Sequence, residues 1–141
     1  MKRNSKEGGT ALTGREEMIF TLRNLALDRT ALRLMEEDVA CIEEDEKQTG
    51  LPALQREALK KERIRLLCSL TATQNHVRRV ERLLALLTPE EQLVLDAMLI
   101  HPRPEAAFDL AQELHCESSA VYRIRARALR KLVRLRYGAE G

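Results

Sequence analysis

The chain has 141 residues, 33% of them charged, with two Phe, two Tyr and no Trp. A hydrophobic stock of Leu, Ala, Ile and Val, with no alternating run of β-branched residues, excludes a sheet protein and predicts an all-α fold of apolar stripes and solvated faces. The formal net charge of +2 hides a partition: residues 1–51 sum to −3, 52–87 to +5, 88–117 to −6 and 118–141 to +6.

Residues 1–14 carry Lys2, Arg3, Lys6 and three glycines, with no periodic apolar residue before Leu12, and read as a flexible tail. Residues 15–47 read as one long helix. Met18, Leu25, Leu32 and Val39 recur every seven residues, and Leu22, Met35 and Ile42 fill the other half of the seam. A sustained seven-residue repeat is the pattern of coiled-coil packing. Gly50 and Pro52 then mark a break, one able to end a helix and the other to begin the next. The repeat resumes to residue 87 through Leu59, Leu66, Leu70, Val77, Val80, Leu84 and Leu87. Two helices of similar length with a short connection predict an antiparallel coiled-coil hairpin over 15–87, a possible oligomerisation element. The acidic run Glu36 to Glu46 before the turn and the basic run Arg56 to Arg65 after it would lie side by side, setting register more than stability.

Thr88-Pro89-Glu90-Glu91 is a compact helix start, with Thr88 as N-cap, Pro89 at the first position and Glu91 closing a capping box. The helix is expected to run through Ile100, until Pro102 and Pro104 stop it. Residues 107–126 then follow the apolar grammar of a helix-turn-helix. Ala111 is the small crossing residue between Leu110 and Leu114. The turn is His115-Cys116-Glu117-Ser118, and Val121 and Ile124 face back to the core. His115 stands where many such turns have Gly, and His tolerates positive φ better than most residues. Either Glu117 or Ser118 caps the second helix.

Arg123, Arg127, Arg130 and Arg134, spaced four, three and four, form one stripe on that helix, with Arg125, Lys131 and Arg136 adding charge and no acidic residue from Ser118 to Ala139. Such a density of like charge behind a helix-turn-helix pattern points to phosphates. The expected function is that of a double-stranded DNA-binding transcription regulator. Arg123 is the first choice for a base edge, since Arg grips guanine O6 and N7 bidentately. Ser118, Ser119 and Tyr122 would touch bases or phosphates, and Arg127, Arg130, Lys131 and Arg134 would supply sequence-independent affinity.

Leu110-Ala111, Val121, Ile124 and the run Arg125-Ala126-Arg127-Ala128-Leu129-Arg130-Lys131-Leu132 resemble region four of bacterial primary sigma factors. The resemblance covers residues 88–137 and implies a domain that reads a promoter element and touches RNA polymerase. Ser118, Ser119, Tyr122 and Arg123 would hold the base-facing positions, while Arg127, Arg130 and Lys131 would lie nearer the DNA backbone or polymerase. Nothing resembles the promoter-melting region of a complete sigma factor. A long helical hairpin before such a module is similar in architecture to phage late-gene regulators of the ArpU-like kind.

An enzyme is the first competing class. His76, His101 and His115 are isolated, no phosphate-binding Gly-rich loop occurs, and Cys41, Cys68 and Cys116 are odd in number and widely spread, so neither a catalytic constellation, a metal site nor a cofactor is expected. The second competing class is an interaction protein, or a small viral DNA-packaging subunit, that works through the hairpin. The partners expected are double-stranded DNA, with RNA polymerase and a second copy of the chain as further candidates. No apolar run of spanning length and no secretory leader occur, so no membrane partner and a cytoplasmic location are expected.

Overall fold

A computed structural model describes residues 12–140, and these are all-helical. The elements are α1 (Gly14–Arg23), α2 (Leu25–Glu46), α3 (Ala53–Leu84), α4 (Pro89–Leu95), a π-helical turn (Asp96–Ile100), α5 (Ala106–Glu113), α6 (Ser118–Tyr137) and a final 3-10 turn (Gly138–Glu140). No helix among the described residues is long and apolar enough to cross a membrane. The chain divides into two units. One joins the N-terminal segment through Asn24 to everything from Arg82 onward; the other is Leu25–Glu81.

The helix expected over 15–47 is in fact two. α1 opens on a capping box in which the Thr13 hydroxyl accepts from Glu16 N–H at 3.1 Å and the Glu16 carboxylate accepts from Thr13 N–H at 2.9 Å. Thr13 and Gly14 are therefore part of a helix start and not of a tail; Leu12 is exposed, and residues 1–11 of the expected tail lie outside the described residues. α1 stops at Asn24, whose side-chain amide donates to Phe20 O at 2.8 Å and whose own N–H bonds to the same carbonyl. The boundary of the expected 15–87 hairpin moves accordingly. α1 packs on α6 and on the π-helical turn, and its Met18 and Leu22 are fully buried. The seven-residue spacing of Met18 and Leu25 suggested one seam. A helix buried against a globular core and one buried against a coiled coil share that spacing over so short a span.

In the Leu25–Glu81 unit, Leu25, Val39, Val77 and Val80 are buried, while Leu32, Met35, Ile42, Leu59, Leu66 and Leu70 are half-buried. The connection between α2 and α3 passes through Gly50 at φ +79°, a conformation that disfavours a side chain, and Pro52 stands one residue before α3 instead of within it. Two ion pairs join the two helices, Glu46 to Arg63 at 2.7 Å and Arg29 to Glu81 at 2.9 Å, and His76 Nε2 lies 3.4 Å from the Asp28 carboxylate. Within the acidic and basic runs flanking the turn, Arg63 takes an α2 partner, whereas Arg65 pairs with Glu62 on its own helix. Leu27, Leu34, Leu54 and Ile64 are exposed.

The other unit contains a core cluster of Val94, Ala97, Ala106, Leu110, Ala111, Val121 and Ile124, with Leu114 and Cys116 packed against it. The capping box expected at Thr88 is present: Glu91 N–H donates to the Thr88 hydroxyl at 3.2 Å and the Glu91 carboxylate accepts from Thr88 N–H at 2.9 Å. The helix expected to run on to Ile100 instead widens after Leu95. His101 N–H reaches back five residues to Asp96 O at 2.7 Å. His101 precedes Pro102 and leaves the helical region at φ −123°, ψ 74°. The wider turn buries Ala97, Leu99 and Ile100.

Because Leu22 has no solvent exposure, Leu22→Ala removes a packed side chain and leaves a cavity. It should destabilise the chain by about 2–5 kcal/mol. Amide hydrogen exchange of the variant should show the loss in α6 and the Asp96–Ile100 turn. An effect confined to α2 and α3 would place Leu22 in the other unit.

Candidate nucleic-acid interface

α5 begins and ends on residues with positive φ that are not glycine: Glu105 at 54° and His115 at 55°. At the C-terminal end this produces a Schellman closure. His115 N–H bonds to Gln112 O at 3.3 Å and Cys116 N–H reaches Ala111 O at 2.9 Å. Left-handed backbone costs a non-glycine residue about 1–2 kcal/mol, so packing must hold the turn. The hydrophobic side of that packing is Cys116 and Leu114 against the core cluster, which includes Ala111. The chain then extends through Glu117 (φ −85°, ψ 157°), which takes the N-cap position of α6 without a side-chain hydrogen bond. Of the two residues considered for that position, Glu117 holds it.

The first turns of α6 therefore pack on α5 through one side and leave the other to solvent. Val121 and Ile124 face inward, and Ser118, Ser119, Tyr122 and Arg123 are exposed, Tyr122 at 52%. The four residues expected to face DNA bases thus share the solvent-facing start of one helix. Further along, Arg130 and Arg134 are exposed as well, and with Arg123 they fall on one side of α6.

Arg127 and Lys131 are differently placed. The Arg127 guanidinium donates to Glu91 Oε2 at 3.0 Å and Lys131 Nζ donates to Glu91 Oε1 at 2.7 Å; Arg127 also lies 3.5 Å from Glu90. Glu91 has no solvent exposure, so its carboxylate requires these cations. Burial alone would raise its pKa. Hydrogen bonds from Lys131, the Thr88 backbone and Arg127 outweigh that and hold it at about 2. Two of the expected phosphate contacts are therefore first of all counter-ions of a buried acid. Spacing along α6 could not reveal this, because the partner lies 36 and 40 residues away. Arg127 and Lys131 remain 52% and 38% exposed, so they add to the surface potential but are not free to reorient.

Sequence reasoning assigned no role to Arg15, Arg23 or the groove beside them. α1 lies along α6, tied by the Tyr137 hydroxyl, which donates to the Glu17 carboxylate. A groove of 390 Å³ between the start of α1 and the second half of α6 is lined by Arg15, Arg130 and Arg134. Arg125, half-buried, has a guanidinium Nε without a hydrogen-bond partner. Its pKa is lowered first by burial and then by the charges of Arg15 and Arg23. The sequence does carry a local mark of the start of α1 that sequence reasoning passed over, Thr13-x-x-Glu16, of the same form as Thr88-x-x-Glu91.

The Glu91 clamp fixes a pH dependence. The folded-state pKa of about 2 lies below the ordinary 4.5, so the clamp stabilises fully above about pH 4.5 and its contribution is lost as pH falls toward 2. Glu91→Gln should cost about 2 kcal/mol at pH 7. The gap in thermal stability from the parent should close on acidification over that interval. A gap unchanged between pH 7 and pH 3 would show that the carboxylate's charge contributes nothing.

In comparisons with known proteins, no protein-family model, no curated protein and no solved structure matches the chain.

Proposed function

We propose that the chain is a double-stranded DNA-binding transcription regulator, in which α5, the His115–Glu117 turn and α6 act as a helix-turn-helix with α6 as the recognition helix. The observation that carries this reading is the pairing of a strained, packed turn with a solvent-facing helix start bearing Ser118, Ser119, Tyr122 and Arg123. A recognition helix needs that combination: a rigid base, and side chains at its N-terminal end long enough or polar enough to reach base edges in a major groove. Arg123 supplies the bidentate donor for guanine. Ser118, Ser119 and Tyr122 offer hydroxyls to bases or phosphates. Arg130 and Arg134 contribute the salt-dependent affinity, with a smaller share from Arg127 and Lys131.

The sigma region four resemblance supports the same geometry and adds RNA polymerase as a partner. The Leu25–Glu81 unit completes the proposal as an antiparallel hairpin. The three polar contacts between α2 and α3, one near the turn and two near the far ends, support that direction. Exposed Leu27 and Leu34, one seven-residue step apart on α2, with Leu54 and Ile64 on α3, favour a second role for this unit in assembly, either as a homodimer or in a packaging-type ring.

The test is binding of a mixed-sequence labelled duplex across a salt series. The parent chain should bind with micromolar affinity at low salt and weaken linearly on a log–log plot. Arg130→Ala with Arg134→Ala should make the slope shallower by about 1.8, at about 0.9 per phosphate contact. Arg123→Ala should lower discrimination between sequences by about 1–3 kcal/mol once a preferred site is selected. No duplex binding at low salt would overturn the proposal.

A further inference from the structure

We infer that α1 is a second DNA-contacting element, in which Arg15 and Arg23 extend the phosphate-binding surface of α6; the inference rests on the DNA reading above. α1 is not a recognition helix and carries no part of the helix-turn-helix. It packs on α6 and the π-helical turn through buried Met18 and Leu22, and the Tyr137–Glu17 hydrogen bond fixes it at the C-terminal end of α6.

That packing brings arginines together from both helices. Arg15 shares a solvent-open groove with Arg130 and Arg134, floored by Leu129 and Val133. Arg23 is exposed in the last turn of α1, and half-buried Arg125, whose guanidinium Nε has no hydrogen-bond partner, has its pKa lowered first by burial and then by the charges of Arg15 and Arg23. Among the described residues, Arg15, Arg23, Arg125, Arg130 and Arg134 make no ion pair with a carboxylate. The two acids of α1 are already engaged. Glu16 accepts from Thr13 N–H in the capping box, and Glu17 accepts from Tyr137.

Assembling like charges from two separate helices is unfavourable in the free protein. The contrast with Arg127 and Lys131 is direct: those two cations are matched by the buried carboxylate of Glu91. At the α1–α6 surface the fold supplies cations from both sides and leaves the balance to a partner. A duplex whose major groove receives the start of α6 carries a row of phosphates on either flank of that groove. Arg130 and Arg134 face one row from α6 itself. Arg15 and Arg23 hold cationic groups at the side of α6, the position from which a neighbouring row is reached. The expected contacts are to phosphate and carry no base information.

The test uses the full-length chain and the mixed-sequence duplex, and compares the parent with Arg15→Ala/Arg23→Ala and with Arg15→Lys/Arg23→Lys, each checked by thermal melting. The Ala variant should melt near the parent temperature and show a salt slope shallower by about 1.8, two contacts at about 0.9 each, with sequence preference unchanged. The Lys variant should restore the parent slope. An unchanged slope in the Ala variant, with parent-like binding retained, overturns the role of α1 and leaves α6 as the DNA-binding element. Loss of binding that Lys does not restore also overturns it, because the arginines then act through the fold. Absence of duplex binding by the parent itself removes the DNA reading and this inference together.

Discussion

The Glu91 carboxylate links two levels of the structure. It closes the capping box that starts α4, accepting the Thr88 N–H, and it receives Arg127 and Lys131 from the middle of α6. A carboxylate with no solvent exposure requires partners, so the position of α6 along α4 is specified by polar chemistry as well as by the apolar cluster. The apolar contacts of Val121, Ile124, Ala128 and Leu132 would tolerate small rotations of α6; two charge-assisted hydrogen bonds from one helix to one buried acid restrict them. The consequence is at the surface. With Arg127 and Lys131 held by Glu91, the exposed side chains of α6 without a carboxylate partner among the described residues include Ser118, Ser119, Tyr122, Arg123, Arg130 and Arg134.

The second constraint is the turn. His115 adopts φ 55° because Cys116 N–H and His115 N–H must satisfy the carbonyls that α5 leaves open, and because Leu114 and Cys116 are held by the core. α1 then covers the remaining side of α6. A three-helix arrangement of α4, α5 and α6 would leave that side bare, and the chain covers it with a segment from its far N-terminal side, buried through Met18 and Leu22.

Much of this was legible from local chemistry. The Thr88–Glu91 start, the His115 turn, and the burial of Leu110, Ala111, Val121 and Ile124 each follow from residue types at short spacing. The all-helical class follows from composition. What was not legible depended on contacts distant in sequence. The pairing of Arg127 and Lys131 with Glu91 spans more than thirty residues, and on a helical wheel these cations are indistinguishable from Arg130 and Arg134. The division of residues 15–47 was hidden because Met18, Leu22 and Leu25 keep a continuous apolar period across Asn24, although Thr13-x-x-Glu16 marked the true start of α1. The π-helical widening at Asp96–Ile100 has no simple signature beyond the Pro102 that forces an early exit.

The proposed DNA contact is made by the solvent-facing start of α6. Amide chemical-shift mapping of the isotopically labelled full chain, titrated at low salt with a mixed-sequence duplex, tests it most directly. The account predicts the largest changes at residues 118–123, with smaller ones along the outer side of α6. Changes confined to α2 and α3, or no changes at all, would contradict it.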